Sequence, residues 1–161
     1  MTPLHHESAG FAWDDRYLLG YAAMDHTHQE FVTRVNALLT VSDAAFAEAL
    51  AAFAQHAERH FAEEKQWMTL GPGQPDYPAR DCHVDEHDKV LASLQEVQTL
   101  LAEGNLTIGR EFAQALMEWF PGHADYMDSA LANWMVKRLH QGAPLVLRRI
   151  NTSASPVLSR I

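Results

Sequence analysis

The stretch of sequence that decides the fold runs from residue 56 to residue 87 and reads HAERHFAEEKQWMTLGPGQPDYPARDCHVDEH. It contains two pairs of ligand-type side chains spaced by four residues, His60 with Glu64 and His83 with His87. Residues at i and i+4 share one face of an α-helix, so each pair presents both side chains to the same region. A segment rich in glycine and proline separates the pairs and lets the two helices fold back antiparallel. The pattern predicts a metal site built between two helices.

The overall composition predicts one globular domain. The chain has 161 residues, of which 47% are hydrophobic and 20% are charged, which is enough to bury a sizeable core. The N-terminal residues lack the basic and apolar regions of a secretory signal, and no stretch reaches the roughly 20 apolar residues of a membrane span. Cys82 is the single cysteine, which excludes an intrachain disulfide and leads us to expect a cytoplasmic protein.

Charge is unevenly distributed along the chain. The net charge of −9 argues against a nucleic-acid-binding protein, which would need a basic surface. Residues 129–161 nevertheless contain five Lys or Arg and no Asp or Glu. We expect the C-terminal tail, residues 139–161, to contact the acidic bundle itself or an acidic surface of a partner, with a disordered terminus as the alternative.

Four helical patterns of similar length follow one another and are joined by short turns. The first begins near Asp25, whose carboxylate is a candidate cap, and the second follows Ser42. The third begins at about Ala79 and the fourth at Thr107. This order is typical of an all-α protein that forms an antiparallel up-down four-helix bundle.

The chain is accordingly divided into three parts. Residues 1–22 contain aromatic side chains without a helical period, and we expect them to form an extended arm that lies across the bundle. Residues 23–138 are assigned to the bundle, and residues 139–161 to the tail.

The helical stripes that face inward carry polar residues as well as apolar ones. Burying an unpaired polar group costs a few kcal/mol, and a bound metal would compensate that cost for a whole cluster of ligands. The inward polar residues are His28, His60, Glu64, His83, His87 and His123.

These residues, in this order, carry a resemblance to a known family. The pattern His28, His60-x3-Glu64, His83-x3-His87 and His123-x4-Asp128 resembles the signature of the hemerythrin family. The similarity covers about residues 11 to 135 and includes features of the bacterial members. Those features are Met24-Asp25 before His28, Phe61 after His60, Tyr77-Pro78 before His83, and Trp119 one turn before His123.

The resemblance implies a non-haem di-iron centre that binds O2 reversibly, with NO, peroxide and small anions as further candidate ligands. By analogy, one iron is bound by His83, His87 and His123, the other by His28 and His60, and both are bridged by Glu64 and Asp128. With one additional oxo or hydroxo bridge, two octahedral irons keep a single open position, on the iron held by His28 and His60. The candidate walls of an apolar O2 pocket are Phe31, Phe61, Trp67 and Trp119.

Three uses of such a centre compete. The protein is an O2 carrier, store or supplier, or it is an enzyme that consumes peroxide or NO, or it is an O2 or redox sensor. An enzyme would need polar groups near the open iron to deliver protons, and the nearest non-ligand candidate on the inward stripes is Tyr126. Ferritin-like di-iron enzymes use a carboxylate-rich ligand set, whereas this set is rich in histidine. Both arguments favour reversible binding.

Two positions in the fourth helix depart from the family pattern. The spacing from His123 to Asp128 is five residues, which turns Asp128 about 140° away on a regular α-helix. A π-type turn with i→i+5 hydrogen bonds would bring the two side chains together. Alternatively, the two side chains reach a bridging position from opposite flanks of the helix. Pro121 removes a helical hydrogen bond and predicts a kink.

Two further residues lie next to predicted ligands. His56 precedes His60 by one turn, and we expect it to be either a hydrogen-bonding partner of a ligand or a residue at the rim of the site. Cys82 adjoins His83 but faces about 100° away on a helix. We expect Cys82 to be a small buried hydrophobic residue and not a ligand.

Overall fold

A computed structural model describes residues 10–140, which form a bundle of helices. The helices are α1 (Ala22–Thr40), α2 (Asp43–Met68), α3 (Arg80–Ala102), α4 (Leu106–His123) and α5 (Ser129–Leu139), and a π-helical segment (Ala124–Asp128) joins α4 to α5. Because α4, the π segment and α5 are continuous, they make up the fourth helix of the bundle. Helices α1 and α3 each pack against α2 and α4. The predicted all-α four-helix bundle is confirmed.

The start of α1 differs from the prediction. The helix begins at Ala22, so Asp25 lies in its first turn and does not precede it. Its carboxylate accepts hydrogen bonds from the backbone N–H of Leu19 at 2.7 Å and of Gly20 at 3.1 Å. Gly20 has a φ of 84°, a conformation that favours glycine. The prediction that Asp25 caps its own helix is therefore wrong, because Asp25 instead holds the chain that leads into it.

The core consists of two apolar clusters. One contains all seven phenylalanines of the chain, and the other is centred on Met24, Met68 and Leu131. In α2, the polar residue Glu64 lies between Phe61 of the first cluster and Met68 of the second. The polar residues of α1 and of the fourth helix occupy the same intermediate level. The bundle thus contains a polar layer between two apolar ones.

Part of the N-terminal arm lies across the fourth helix. Residues 10–21 contain a short 3-10 turn, Asp15–Tyr17. The rings of Phe11 and Tyr17 pack against Phe120, with centroid separations of 5.9 Å and 5.4 Å. Phe11 is 7% exposed, so the arm covers apolar surface that the bundle would otherwise present to water.

Two sequence predictions concern the tail and the membrane. Residues 141–161 lie outside the described residues, so the predicted contacts of the tail stay predictions. Among residues 10–140, no helix combines the length and the apolar character needed to cross a membrane.

One glycine permits a close approach between helices. A Cβ added to Gly109 in α4 would lie 2.5 Å from Cε1 of Phe46 in α2. Phe46 is completely buried and has little freedom to move. Glycine at this position therefore allows the fourth helix to pack directly on the Phe46 ring.

Candidate metal centre

Seven polar side chains converge in the polar layer of the bundle. Their exposed fractions run from 0% to 7%. They form two groups that share Glu64, and within each group one ligand-type atom per residue lies within 4.8 Å of the others. The larger group is Glu64, His83, His87, His123 and Asp128, and the smaller is His28, His60 and Glu64. The structure thus brings together all seven metal ligands that the sequence predicts.

The two pairs spaced by four residues supply four of these side chains. In α2, Nε2 of His60 lies 2.8 Å from Oε1 of Glu64. In α3, the ring centroids of His83 and His87 are 4.6 Å apart. Because residues at i and i+4 share a helical face, the local sequence directs each pair to one point, and the packing of α2 on α3 makes the two points coincide.

The π segment delivers the seventh side chain. On an α-helix Asp128 would point away from His123, but i→i+5 hydrogen bonding over Ala124–Asp128 returns it to the same face. Nε2 of His123 lies 3.2 Å from Oδ1 of Asp128. Of the two ways in which Asp128 could reach the site, the structure shows the π-type turn. The chain stays helical through Pro121, and the change from α- to π-helical hydrogen bonding begins at Ala124. The kink at the proline stays a prediction.

The carboxylate of Glu64 faces two sets of histidines with different oxygens. Oε1 lies 2.8 Å from Nε2 of His60 and 3.7 Å from Nε2 of His28. Oε2 lies 3.2 Å from Nε2 of His83 and 3.5 Å from Nε2 of His87. Oε1 of Glu64 therefore faces His28 of α1 and His60 of α2, and Oε2 faces the two histidines of α3.

Asp128 repeats this division from the opposite helix. Its Oδ2 lies 3.1 Å from Nε2 of His28. Its Oδ1 lies 3.0 Å from Nε2 of His83 and 3.2 Å from Nε2 of His123. Each carboxylate thus has one oxygen near at least one member of the pair His28 and His60, and the other oxygen near two members of the trio His83, His87 and His123.

Many of these polar atoms lack the hydrogen bonds that burial normally requires. Among residues 10–140, Nε2 of His28, Nε2 of His83, Oε2 of Glu64 and Oδ1 of Asp128 are buried without a hydrogen-bond partner. Leaving such atoms unsatisfied costs about 1–3 kcal/mol each. Imidazole nitrogens and carboxylate oxygens are ligands for iron and zinc. The residues present therefore fit a pair of metal cations, which would take up all of these lone pairs.

Burial and charge act differently on the individual histidines. Burial by itself lowers the pKa of His28, but the nearby carboxylates of Asp128 and Glu64 outweigh this effect and raise the pKa to about 9. The same balance raises the pKa of His83 to about 9. For His87 burial dominates and lowers the pKa to about 3. Metal binding requires neutral imidazole, so a metal ion must displace protons from His28 and His83.

The two carboxyl groups are held in the ionised form. Burial opposes the ionisation of both groups, and for Glu64 the negative charge of Asp128 opposes it as well. The surrounding imidazoles overcome this opposition and hold the pKa of Glu64 and of Asp128 well below the usual range. Both groups are therefore carboxylates, the form that binds metal, at neutral pH.

Three of the predicted pocket walls lie against predicted ligands. The centroid distances are 3.9 Å for Phe61 stacked on His87, 4.2 Å for Trp119 stacked on His123, and 5.9 Å for Phe31 beside His60. These rings place apolar surface around both sets of histidines and restrict the access of water.

The fourth predicted wall residue lies elsewhere, and another residue takes its place. Trp67 packs in the second apolar cluster and contacts Tyr21, at 5.2 Å between centroids. Phe120, which the sequence analysis did not single out, lies 5.3 Å from His28 and stacks on Phe31 at 5.1 Å. Its position four residues after Leu116 on the inward stripe is the signal that could have identified it.

Other side chains near the ligands correct or extend the predictions. His56 is 3% exposed and lies beside His60, with 5.4 Å between ring centroids. Cys82 is exposed, contrary to the expectation that it is buried. Tyr126 is 86% exposed, so the phenol expected on the inward stripe points to solvent and does not reach the centre.

Comparisons with known proteins agree with this geometry. A family model described as Hemerythrin HHE cation binding domain matches residues 19–135. The chain is 42% identical over 126 residues to a protein named Bacteriohemerythrin from Ralstonia nicotianae, an alignment that covers 78% of this chain and 89% of that protein. No solved structure matches the chain significantly.

Proposed function

The chain belongs to the hemerythrin family, and on that premise we propose that it binds O2 reversibly at a non-haem di-iron centre. The family domain implies that non-haem iron is bound, and the buried cluster of histidines and carboxylates is able to bind metal. Binding two iron ions, and O2 as their ligand, is our proposal. The role of such a protein is to carry, store or supply O2.

The division of the carboxylate oxygens is the observation that carries the proposal. Glu64 and Asp128 each direct one oxygen to the pair of histidines and the other to the trio. Two separate cations, each with its own histidines and bridged by both carboxylates, satisfy this arrangement, whereas one cation would leave half of the oxygens unused. His83, His87 and His123 would hold one iron, His28 and His60 would hold the other, and Glu64 and Asp128 would contribute an oxygen to each.

The unequal numbers of histidines determine where O2 binds. Three imidazoles together with both carboxylates and one oxo or hydroxo bridge would fill six positions on one iron, whereas two imidazoles would leave one position on the other iron open to an exogenous ligand. The rings of Phe31 and Phe120 lie on the side of His60 and His28. When bound, the two irons supply the electrons that hold O2, and the residues of the chain orient the metals and exclude water. An apolar pocket protects the reduced irons from irreversible oxidation.

An anaerobic optical titration tests the proposal. The protein is loaded with two equivalents of ferrous iron, exposed to O2 and then stripped with argon. We expect a coloured form that disappears on stripping and returns on re-exposure. Rapid one-way oxidation accompanied by peroxide consumption would refute reversible binding and favour an enzyme or a redox sensor.

A pair of variants tests the assignment of the O2-binding iron. His60→Ala is expected to lose O2 binding while the iron held by the trio of histidines stays bound. The matched control is His26→Ala, which removes an exposed histidine of α1 and should leave O2 binding and iron content unchanged. Full O2 binding by His60→Ala would contradict the assignment.

A further inference from the structure

A buried imidazole that is not one of the seven predicted ligands lies against the centre. His56 precedes His60 by one turn of α2, is 3% exposed, and its ring is inclined by 63° to that of His60. Among the described residues, neither of its nitrogens makes a hydrogen bond. Burying such a group costs free energy, and metal binding by the other residues does not compensate it.

A surface carboxylate lies on the outer side of this imidazole. Nδ1 of His56 is 3.5 Å from Oε2 of Glu30, which belongs to α1. The same oxygen is 3.2 Å from Nη2 of Arg59, and the Glu30 side chain is 41% exposed. Arg59 therefore holds the carboxylate in the seam between α1 and α2, where it faces solvent on one side and His56 on the other.

The predicted ligand His60 lies on the inner side. Its Nε2 faces Glu64 at 2.8 Å, so its Nδ1 is the nitrogen that carries the proton when Nε2 binds metal. That Nδ1 is buried and has no hydrogen-bond partner among residues 10–140. Ligand histidines almost always donate this second N–H to an acceptor, which fixes the orientation of the ring. The neighbouring ring is that of His56, with 5.4 Å between the centroids. Its Nε2 is likewise without a hydrogen-bond partner among the described residues.

We propose that His56 is a positioning residue that acts through His60. Its Nε2 accepts the Nδ1–H of His60, directly or through one water molecule, and its Nδ1–H is donated to Glu30. The inference rests on the proposed function, because the hydrogen bond orients His60 as a metal ligand. It strengthens the imidazole as an electron donor and thus favours the oxidised state of the iron that binds O2.

The charge of the centre explains why a histidine suits this position. A carboxylate in direct contact with His60 would add a third buried negative charge beside Glu64 and Asp128, at a high desolvation cost. A neutral imidazole accepts the same hydrogen bond without adding charge. The negative charge stays on Glu30 at the surface, where Arg59 and water stabilise it.

Nuclear magnetic resonance of the zinc-loaded protein tests the proposal, since zinc is diamagnetic and has no redox chemistry. The imidazole N–H signals are recorded with nitrogen-15-labelled histidine, and the His60 signal is identified by its loss in His60→Gln. We expect His56→Leu to shift this signal, to speed the exchange of its proton with water, and to weaken zinc binding by about 10- to 100-fold. His56→Gln, which keeps an acceptor, should restore part of the effect.

The matched control is His26→Gln. His26 approaches the other oxygen of Glu30 at 3.6 Å but is exposed, so its removal should leave the His60 signal and zinc affinity unchanged. In the iron-loaded protein the midpoint potential should rise in His56→Leu and not in His26→Gln. A change that appears equally in both variants would overturn the proposal.

The outcomes separate this inference from the proposed function. Failure to bind two zinc ions would overturn both. Normal zinc binding with an unchanged His60 signal in His56→Leu would overturn only the role of His56, whatever the O2 titration shows. If His56→Leu does not fold, Glu30→Gln decides the question. Glu30 is the outer end of the hydrogen-bonded series Glu30–His56–His60, so weakening its contact with His56 should shift the His60 signal in the same direction. An unchanged signal would again refute the role of His56.

Discussion

Raising the pH is expected to destabilise the metal-free protein, because two of the histidines of the centre are held protonated in the folded state. The pKa of His28 and of His83 is raised from 6.5 to about 9. A raised pKa contributes stability that is fully present below pH 6.5 and is lost as the pH rises through 9. A shift of this size corresponds to about 3 kcal/mol for each residue. The folded metal-free protein thus loses several kcal/mol over this interval.

Acidification is expected to destabilise the same protein for the opposite reason. The pKa of His87 is lowered from 6.5 to about 3, so the folded state keeps this imidazole neutral and stability falls as the pH drops below 6.5. The lowered pKa values of Glu64 and Asp128 add a loss below the range in which free carboxyl groups titrate. The metal-free protein should therefore be most stable near pH 6.5.

Urea unfolding followed by circular dichroism gives the free energy of unfolding. Repeating it between about pH 5 and pH 10 measures how that free energy depends on pH. The zinc-loaded protein serves as the comparison. Its imidazoles are neutral ligands, so the loss between pH 6.5 and 9 should disappear. His26→Gln controls for an exposed histidine and should reproduce the metal-free profile. A metal-free protein whose stability is constant or rises from pH 6.5 to 9 would refute the reasoning.

Three further predictions concern packing and metal retention. Gly109→Ala should destabilise the protein by about 1–3 kcal/mol, because its Cβ would lie 2.5 Å from the buried Phe46 ring. At Gly122 an added Cβ meets no described atom within 4 Å, so Gly122→Ala should instead stabilise the protein by about 0.5–1 kcal/mol. Urea unfolding measures the two variants, and equal effects would contradict the packing argument. Phe120→Ala should cost about 3–5 kcal/mol and speed the oxidation of bound iron by admitting water, so an unchanged rate of oxidation would argue against its role as a wall. Glu64→Ala should lose both metal ions on dialysis, and elemental analysis that finds one full equivalent retained would show that Glu64 does not bridge.

The bundle and the positions of most predicted ligands follow from local sequence. His60 with Glu64, and His83 with His87, each share a helical face whatever the tertiary structure, so their convergence needed only an antiparallel pairing of two helices. Asp128 reaches the site through a departure from the α-helix. Its spacing of five residues from His123 indicated a π-type turn as one of two possibilities, and only the structure decides between them.

The errors have separate physical causes. Counted on an α-helix, Tyr126 follows His123 by three residues and shares its face, but the wider π turn moves it outward, to 86% exposure. Cys82 was expected to be buried because cysteine usually is, although its place on the helix faces away from His83. Trp67 and Phe120 are both large and apolar, and only the packing of the arm and of α1 determines which of them lies beside His28.

Under the proposed function, the packing of the arm on Phe120 would link the retention of O2 to local opening of the chain. Phe11 and Tyr17 cover one side of Phe120, whose other contacts include His28. Small units at a chain end open with free energies well below that of global unfolding, and Asp25 supplies hydrogen bonds that oppose such opening. Each detachment of the arm would uncover the back of the pocket wall while the bundle stays folded. The lifetime of the oxygenated protein would then follow the hydrogen-exchange protection of the Leu19 and Gly20 amides more closely than it follows global stability.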